Sequence, residues 1–123
     1  MTAMHLPFDP RMFFQRRFAE GTVIFREGDP GDNCYILKEG AVRILKGPEG
    51  NQRTLGNVGP GCLFGEMALI DDQPRMASAY AITPVVCMVI TREQFRERVD
   101  HCDPFVRALL RILVQCARLP VGG

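Results

Sequence analysis

A carboxylate and a guanidinium nine residues apart, Glu66 and Arg75, are the side chains of this sequence best suited to bind a charged ligand. Gly65 precedes the acid, Pro74 precedes the arginine, and a short apolar segment, residues 67–70, lies between them. An ionised carboxylate only accepts hydrogen bonds, whereas a guanidinium donates several from a planar fork. The pair therefore suits a small molecule that carries one anionic phosphate beside one free hydroxyl.

The alternative interpretation is a surface ion pair, which contributes roughly 0–1 kcal/mol. The surrounding residues favour a binding site. The phrase F-G-E-M-A-L-I-x-x-x-P-R-x-A, from Phe64 to Ala77, resembles the phosphate-binding segment of the cyclic nucleotide-binding domain family. Catabolite activator protein, the protein kinase A regulatory subunits and the cyclic-nucleotide-gated channels belong to that family. The resemblance implies a ligand-binding regulatory module and no catalytic residues.

The resemblance also assigns roles to individual residues. In a 3′,5′-cyclic nucleotide the 2′-hydroxyl is the remaining sugar donor, and Glu66 is expected to accept its proton. Arg75 is expected to hold the two exocyclic phosphate oxygens, because its fork reaches both at once. Gly65 lets the backbone approach the ligand closely. In the family, backbone amides of this turn share the phosphate, which here implies Gly65, Met67, Ala68, Met76 and Ala77.

The implied ligand is cAMP, with cGMP as the alternative, and neither a cofactor nor a metal is expected. Many family members have Ser or Thr directly after the arginine, where the hydroxyl can donate a hydrogen bond to a guanine ring. Met76 offers no such donor, which favours cAMP. In the family the C-terminal helix also closes over the base, and the residues expected to form this lid are Leu110 and Arg111. The motif does not determine the register of the lid.

Composition narrows the classes of partner. Fifteen basic and fourteen acidic side chains leave a formal charge of +1, which gives no electrostatic argument for a nucleic acid or an anionic membrane. No apolar run approaches the ~20 residues of a membrane span, and no secretory pattern opens the sequence. We therefore expect one domain located in the cytoplasm.

Cysteine and histidine usage argues against a metal site. The five cysteines are odd in number and irregularly spaced, and no C-x-x-C occurs, so neither a disulfide framework nor zinc is expected. An enzyme on a similar roll, of the metal-dependent cupin type, would need a cluster of His and carboxylate ligands. The sequence has only His5 and His101, so this alternative is disfavoured.

Short β-runs separated by turn residues predict a mainly β fold with C-terminal helices. The turn cluster at 28–32 and the Glu39-Gly40 pair are the clearest signals, and the second predicts a tight hairpin. The resemblance agrees and implies a jelly-roll-like β-roll with a short phosphate-binding helix at about 66–70. About eight strands are expected, at 16–19, 23–26, 34–38, 41–46, 53–58, 62–64, 75–82 and 85–90.

The predicted organisation is an N-terminal arm at 1–15, a binding domain at 16–119 and a tail at 120–123. The arm contains Pro7 and Pro10 and is expected to be irregular, with phenylalanines as anchors at positions 8, 13 and 14. Within the domain, the β-roll occupies 16–91 and the terminal helices 91–118.

Two helices follow the last strand. Thr91 and Gln94 match a capping box for a helix that ends near Asp100, and Asp103-Pro104 suit the start of a helix that continues to about Arg118. In that last helix a polar stripe recurs at steps of four, four and three, and nearly everything else is apolar. The stripe consists of Arg107, Arg111, Gln115 and Arg118.

Such a wide apolar arc predicts that a second surface covers part of the final helix. A homodimer partner or an output domain could cover this surface. The alternative is that the helix packs only within its own domain. No output device is recognisable in this sequence, so we expect a stand-alone sensor, a regulatory subunit or part of a longer protein. A domain of the same fold that binds no nucleotide and serves in assembly is the remaining alternative.

Overall fold

Two antiparallel four-stranded sheets and a set of helices form the fold in a computed structural model, which describes residues 10–118. The strands are β1 (Phe14–Phe18), β2 (Val23–Phe25), β3 (Asn33–Glu39), β4 (Val42–Lys46), β5 (Arg53–Val58), β6 (Leu63–Phe64), β7 (Ser78–Ala81) and β8 (Val85–Thr91). The α-helices are α1 (Met67–Asp71), α2 (Arg92–Asp100) and α3 (Pro104–Arg118), and a 3-10 turn spans Pro10–Met12.

The chain changes sheet at almost every connection. One sheet has the order β1-β8-β3-β6 and the other β2-β7-β4-β5, so among consecutive strands only β4 and β5 are neighbours. The hairpin expected at Glu39-Gly40 is therefore wrong, because β3 pairs with β8 and β6, whereas β4 pairs with β5 and β7. The turn at Gly40 is a corner that carries the chain from one sheet to the other.

Two apolar cores lie on opposite faces of the first sheet. Between the sheets, alternate residues of β3 and β8 pack with Phe18, Phe64 and the small residues of β7. On the other face, Cys34, Ile36, Met88 and Ile90 pack with Leu69 of α1 and Phe13, and Phe95 of α2 packs against this cluster. Strand β8 is therefore buried on both faces, which explains its unbroken apolar sequence.

Several element boundaries differ from those expected from the sequence. Strand β1 begins at Phe14, inside the arm predicted to be irregular, because residues 14–18 pair with β8. Phe13 is buried, but Phe14 is 72% exposed and is not an anchor. Strand β7 begins at Ser78 instead of at position 75. Phe8 and the predicted tail lie outside the described residues.

The helix signals in the sequence are confirmed. Thr91 and Gln94 form a complete capping box at the start of α2, and the Asp103 carboxylate accepts a hydrogen bond from the Phe105 amide at 2.7 Å. The mainly β class, with two sheets in a jelly-roll-like arrangement and helices at the C-terminal end, is also confirmed. No helix within residues 10–118 combines the length and apolar character that a membrane crossing requires.

Helix α3 packs on the domain through a face that includes part of its polar stripe. Val114 is buried and Leu110 is half-buried, while Arg107 and Arg118 on the same face form ion pairs with Asp100 and Asp71. The opposite face is apolar and exposed, and its large side chains are Phe105, Val106, Leu109, Ile112 and Leu113. The stripe is thus divided between buried and solvated sides of the helix.

Candidate functional site

A cavity of about 210 Å³ opens between the two sheets, beside the first turn of α1. The seven residues that the sequence predicts to contact a ligand all line it: Gly65, Glu66, Met67, Ala68, Arg75, Met76 and Ala77. The other lining residues are Phe25, Ile44, Val58, Leu63, Phe64 and Arg118. Folding therefore brings the two halves of the predicted phrase together around one space.

Arg75 lines this cavity and is only 5% exposed. Its guanidinium lies over the ring of Phe25, with the Cζ atom 4.0 Å from the ring centroid. Its Nη1 donates a hydrogen bond to the Gly65 carbonyl oxygen and its Nη2 to the Asn33 carbonyl oxygen, both at 2.6 Å. Its Nε is buried and has no hydrogen-bond partner among the described residues. A guanidinium has five N–H donors, and these two hydrogen bonds use two of them.

The carboxylates of Asp29, Asp32 and Glu66 act on the charge of Arg75 from a distance, without forming an ion pair with it. Among residues 10–118 no ion pair joins it to a carboxylate, and burial lowers its pKa from the ordinary value. Burial also favours the neutral form of the neighbouring Cys34 thiol and raises its pKa to about 12. This thiol is therefore neutral near pH 7 and supplies no negative charge. A buried charge is costly unless it is paired. An anion placed here would remove that cost.

Close backbone approaches hold the guanidinium in place. Gly65 has a φ of +80°, and a Cβ at this position would lie 2.7 Å from Nη1 of Arg75 and 3.1 Å from the Phe25 ring. A Cβ at Gly31 would meet the Ala68 side chain and would lie 3.2 Å from the Arg75 guanidinium carbon. The Arg75 backbone exchanges hydrogen bonds of 2.8 Å with Gly28 and Asp29. These bonds replace strand pairing, which explains why β7 begins only at Ser78.

Glu66 lies at the N-terminal end of α1 without capping that helix through its side chain. Burial raises the pKa of its carboxyl group, and this effect exceeds the opposing effects of a hydrogen bond from its own backbone amide and of the Arg75 charge. A carboxylate that is partly desolvated and faces a cavity gains strongly from a new donor. The arrangement suits a ligand hydroxyl.

Most of the remaining cavity wall is apolar. Ile44, Val58, Leu63 and Met76 contribute side chains without strong donors or acceptors. The Met76 backbone is held by Lys46, whose Nζ donates a hydrogen bond to the Met76 carbonyl oxygen at 2.7 Å. This end of the cavity suits a flat and largely apolar group.

The residues predicted as a lid lie elsewhere. Leu110 and Arg111 line a smaller hollow between the helices, with Asp72 and Phe95, and neither lines the cavity. In the described part of the chain, Arg118 is the residue of α2 and α3 that lines it. Arg118 belongs to the same helix as the two predicted residues and lies about two turns further along it.

Sequence reasoning also missed Phe25, Gly31 and the carbonyl group of Asn33, which surround Arg75. Gly31 lies within a recognised turn cluster, so the turn signal was the one available clue to its neighbourhood. Nothing in the local sequence pairs Phe25 with an arginine fifty residues later.

Comparison with known proteins gives a decisive match. The family model of the cyclic nucleotide-binding domain covers residues 15–102. This chain belongs to the cyclic nucleotide-binding domain family. The resemblance carried by the 64–77 phrase is thereby confirmed.

Relatives of this cyclic nucleotide-binding domain include a transcriptional regulator and a cyclic AMP receptor protein. It is 35% identical over 102 residues to the CRP-like cAMP-activated global transcriptional regulator of Mycobacterium tuberculosis. The aligned region covers 82% of this chain and 46% of the relative. It is 42% identical over 108 residues to the cyclic AMP receptor protein of Thermus thermophilus. This aligned region covers 86% of this chain and 50% of the relative. The chain thus spans about half the length of these curated relatives.

Among solved structures, the cAMP-bound form of the EAL enzyme Bd1971 is similar, with a TM-score of 0.82 and 38% identity. The match covers 85% of this chain and 28% of that enzyme. The same kind of domain therefore occurs both in regulators and as part of an enzyme. Within residues 10–118 no group of three or more His, Cys, Asp or Glu side chains could hold a metal ion.

We predict that Gly65→Ala destabilises the ligand-free protein more than Gly50→Ala does. Both glycines have φ values near +80° to +85°, so both changes carry a backbone cost of about 1–2 kcal/mol. A Cβ at Gly50 meets nothing within 4 Å, whereas one at Gly65 meets Arg75 and Phe25. Urea unfolding of both variants measures the difference, and equal losses would mean that Arg75 is not held against Gly65.

Proposed function

We propose that this domain binds cAMP and acts as a ligand-sensing regulatory module. The observation that carries this proposal is the buried charge of Arg75, which no carboxylate of residues 10–118 pairs, in the wall of a cavity that Glu66 also lines. The phosphodiester of a cyclic nucleotide carries one negative charge over two exocyclic oxygens. The unused Nε and Nη hydrogens of Arg75 supply donors for both oxygens, and the desolvated setting strengthens them.

The other predicted contacts complete this assignment. The Glu66 carboxylate accepts the 2′-hydroxyl proton, and the amides of Gly65, Met67, Ala68, Met76 and Ala77 share the phosphate. The base occupies the apolar end of the cavity, where Met76 offers no hydroxyl to a guanine. The names of relatives support cAMP, since both relatives described above are named for it. One structure of Bd1971 has cGMP bound, so cGMP is the competing ligand.

Transmission of the binding signal has a physical route through α1. The two carboxylates at its C-terminal end are tied to the terminal helices, Asp71 to Arg118 of α3 and Asp72 to Arg92 and Arg96 of α2. A ligand that moves the first turn of α1 therefore moves charges that both helices hold. Binding would shift the population of helix positions.

The exposed apolar face of α3 is proposed as the contact to a partner. It presents five large apolar side chains along one helix, more than isolated surface residues explain. A second copy of the chain would lay the same face against itself around a twofold axis. An output domain is the alternative occupant.

The two competing functions lack comparable support. An assembly domain that binds no nucleotide would have no reason to keep Arg75 buried without an ion pair to any carboxylate of residues 10–118. A cupin-type enzyme would need a metal-binding cluster, and the described residues hold none. We therefore propose a binding domain that does not itself catalyse a reaction, whatever enzyme or regulator it is attached to.

We predict that Arg75→Lys weakens cAMP binding by about tenfold to a hundredfold, because the ammonium loses the parallel donors of a charge-assisted contact. Arg17→Lys is the matched control, since Arg17 is exposed on β1. Titration calorimetry measures both affinities, and thermal unfolding verifies that each variant is folded. Equal affinities in folded Arg75→Lys and wild type would exclude Arg75 from the site.

We predict that the wild type binds cAMP about tenfold more tightly than 2′-deoxy-cAMP, and that Glu66→Gln reduces this ratio. Because burial raises the Glu66 pKa, acidification should protonate the carboxylate and reduce the ratio in the wild type but not in the variant. Glu20→Gln, at an exposed turn, serves as the control. A ratio that is the same in wild type and Glu66→Gln would show that Glu66 does not hold the sugar.

We predict that Leu113→Glu converts a dimeric protein to a monomer, because it places a charge in the exposed apolar face of α3. Gln115→Glu introduces the same side chain on the polar side of the helix and should leave the dimer intact. Sedimentation velocity measures the masses. A wild-type monomer at high concentration would exclude the second copy and favour the output domain.

A further inference from the structure

The two residues that follow Arg75 lie at the cavity without belonging to a strand. Met76 and Ala77 both line the cavity, but strand β7 begins only at Ser78. In the proposed complex the amides of Met76 and Ala77 donate to the phosphate. Such amides need a fixed orientation, because a hydrogen bond weakens steeply as it departs from linearity. Contacts from other parts of the chain must therefore hold this segment.

Lys46, the last residue of β4, holds the segment without lining the cavity itself. Its Nζ donates a hydrogen bond of 2.7 Å to the Met76 carbonyl oxygen. That carbonyl group belongs to the same planar peptide unit as the Ala77 amide. One ammonium contact thus restricts the orientation of this peptide unit and the position of Met76 beside it.

Glu27 and Ser78 complete a ring of contacts around the same segment. One carboxylate oxygen of Glu27 lies 3.8 Å from Nζ of Lys46, and the other accepts a hydrogen bond of 3.0 Å from the Gly47 amide. The Glu27 amide donates to the Ser78 hydroxyl oxygen at 2.9 Å. The side chains of Lys46 and Glu27 are 38% and 37% exposed, so their ion pair contributes little energy by itself. What the pair adds is a restraint on where the ammonium lies.

We propose that Lys46 is a positioning residue for the phosphate contact and that Glu27 acts by holding Lys46. The inference rests on the proposed function. Glu66 and Arg75 meet the ligand with side chains, whereas residues 76 and 77 meet it with backbone amides, whose orientation depends on Lys46. Because these two amides belong to one short segment, they favour one of the two exocyclic phosphate oxygens.

The experiment compares cAMP with its two phosphorothioate diastereomers, in each of which sulfur replaces one exocyclic oxygen. Sulfur is the weaker acceptor, so the wild type should bind the two diastereomers with different affinities. Lys46→Met removes the ammonium and keeps an apolar stem of similar length. It should weaken cAMP binding by about threefold to tenfold and bring the affinities for the two diastereomers closer together.

Three further variants provide the controls. Lys46→Arg retains a cationic donor for the Met76 carbonyl oxygen and should keep most of the affinity. Lys38→Met makes the same chemical change at an exposed position of β3 and should leave all three affinities unchanged. Glu27→Gln should cause part of the loss in the wild-type background and none in Lys46→Met. Titration calorimetry measures the affinities, and thermal unfolding shows that each variant is folded.

The possible outcomes separate this inference from the proposed function. Absence of cAMP binding by the wild type would overturn both. If the wild type binds cAMP through Arg75, an unchanged affinity in Lys46→Met would overturn the positioning role alone. An equal loss for cAMP and both diastereomers would assign Lys46 to the fold and also overturn it. A loss in Lys46→Arg as large as that in Lys46→Met would exclude the hydrogen bond to Met76 as the cause. An equal effect of Glu27→Gln in both backgrounds would show that Glu27 does not act through Lys46.

Discussion

The buried guanidinium of Arg75 is the constraint on which the rest of the site depends. A positive charge removed from water is tolerated only where the protein supplies acceptors and a polarisable surface. Here the carbonyl oxygens of Gly65 and Asn33 and the ring of Phe25 do so incompletely, since Nε has no partner and no carboxylate of residues 10–118 pairs with the group. The incomplete compensation is what gives an anionic ligand its advantage.

This constraint shapes the backbone around it. Gly31 and Gly65 lie where a Cβ would strike the guanidinium or its neighbours, and the loop at 28–29 replaces a strand as the hydrogen-bond partner of Arg75. Phe25 comes from one sheet and Asn33 from the other. The charge is therefore held at the junction of the two sheets, where neither sheet alone could place it.

Helix α1 connects this buried charge to the surface of the domain. Its first turn lines the cavity, and its last residue and the one after it, Asp71 and Asp72, pair with arginines of α3 and α2. A helix of five residues has little stability of its own. Its position is determined by what it contacts, so it is well suited to respond to a ligand and to pass the response to the terminal helices.

The sequence predicted most of the elements because the signals for them are local. The apolar run of β8, the Thr91 capping box and the Asp103-Pro104 start each depend on residues a few positions apart. The hairpin at Gly40 was wrong because a turn signal shows where the chain reverses but not which strands then pair. The pairing of β3 with β8, whose partner residues include Asn33 with Thr91 and Glu39 with Val86, is decided by the packing of the whole roll.

By itself, the sequence determined the family, the mainly β class and the pair of side chains that we propose to bind a phosphate and a hydroxyl. The acid, the glycine before it and the arginine lie within one short sequence segment, so their binding chemistry can be predicted without knowledge of the fold. Only the tertiary structure decided that Arg75 is buried without an ion pair to a carboxylate of residues 10–118, that Phe25 packs on its guanidinium, and that Arg118 lines the cavity while Leu110 and Arg111 do not. These facts depend on which distant residues meet, and on the rotation of α3 about its axis, which is set by the side chains that α3 packs against.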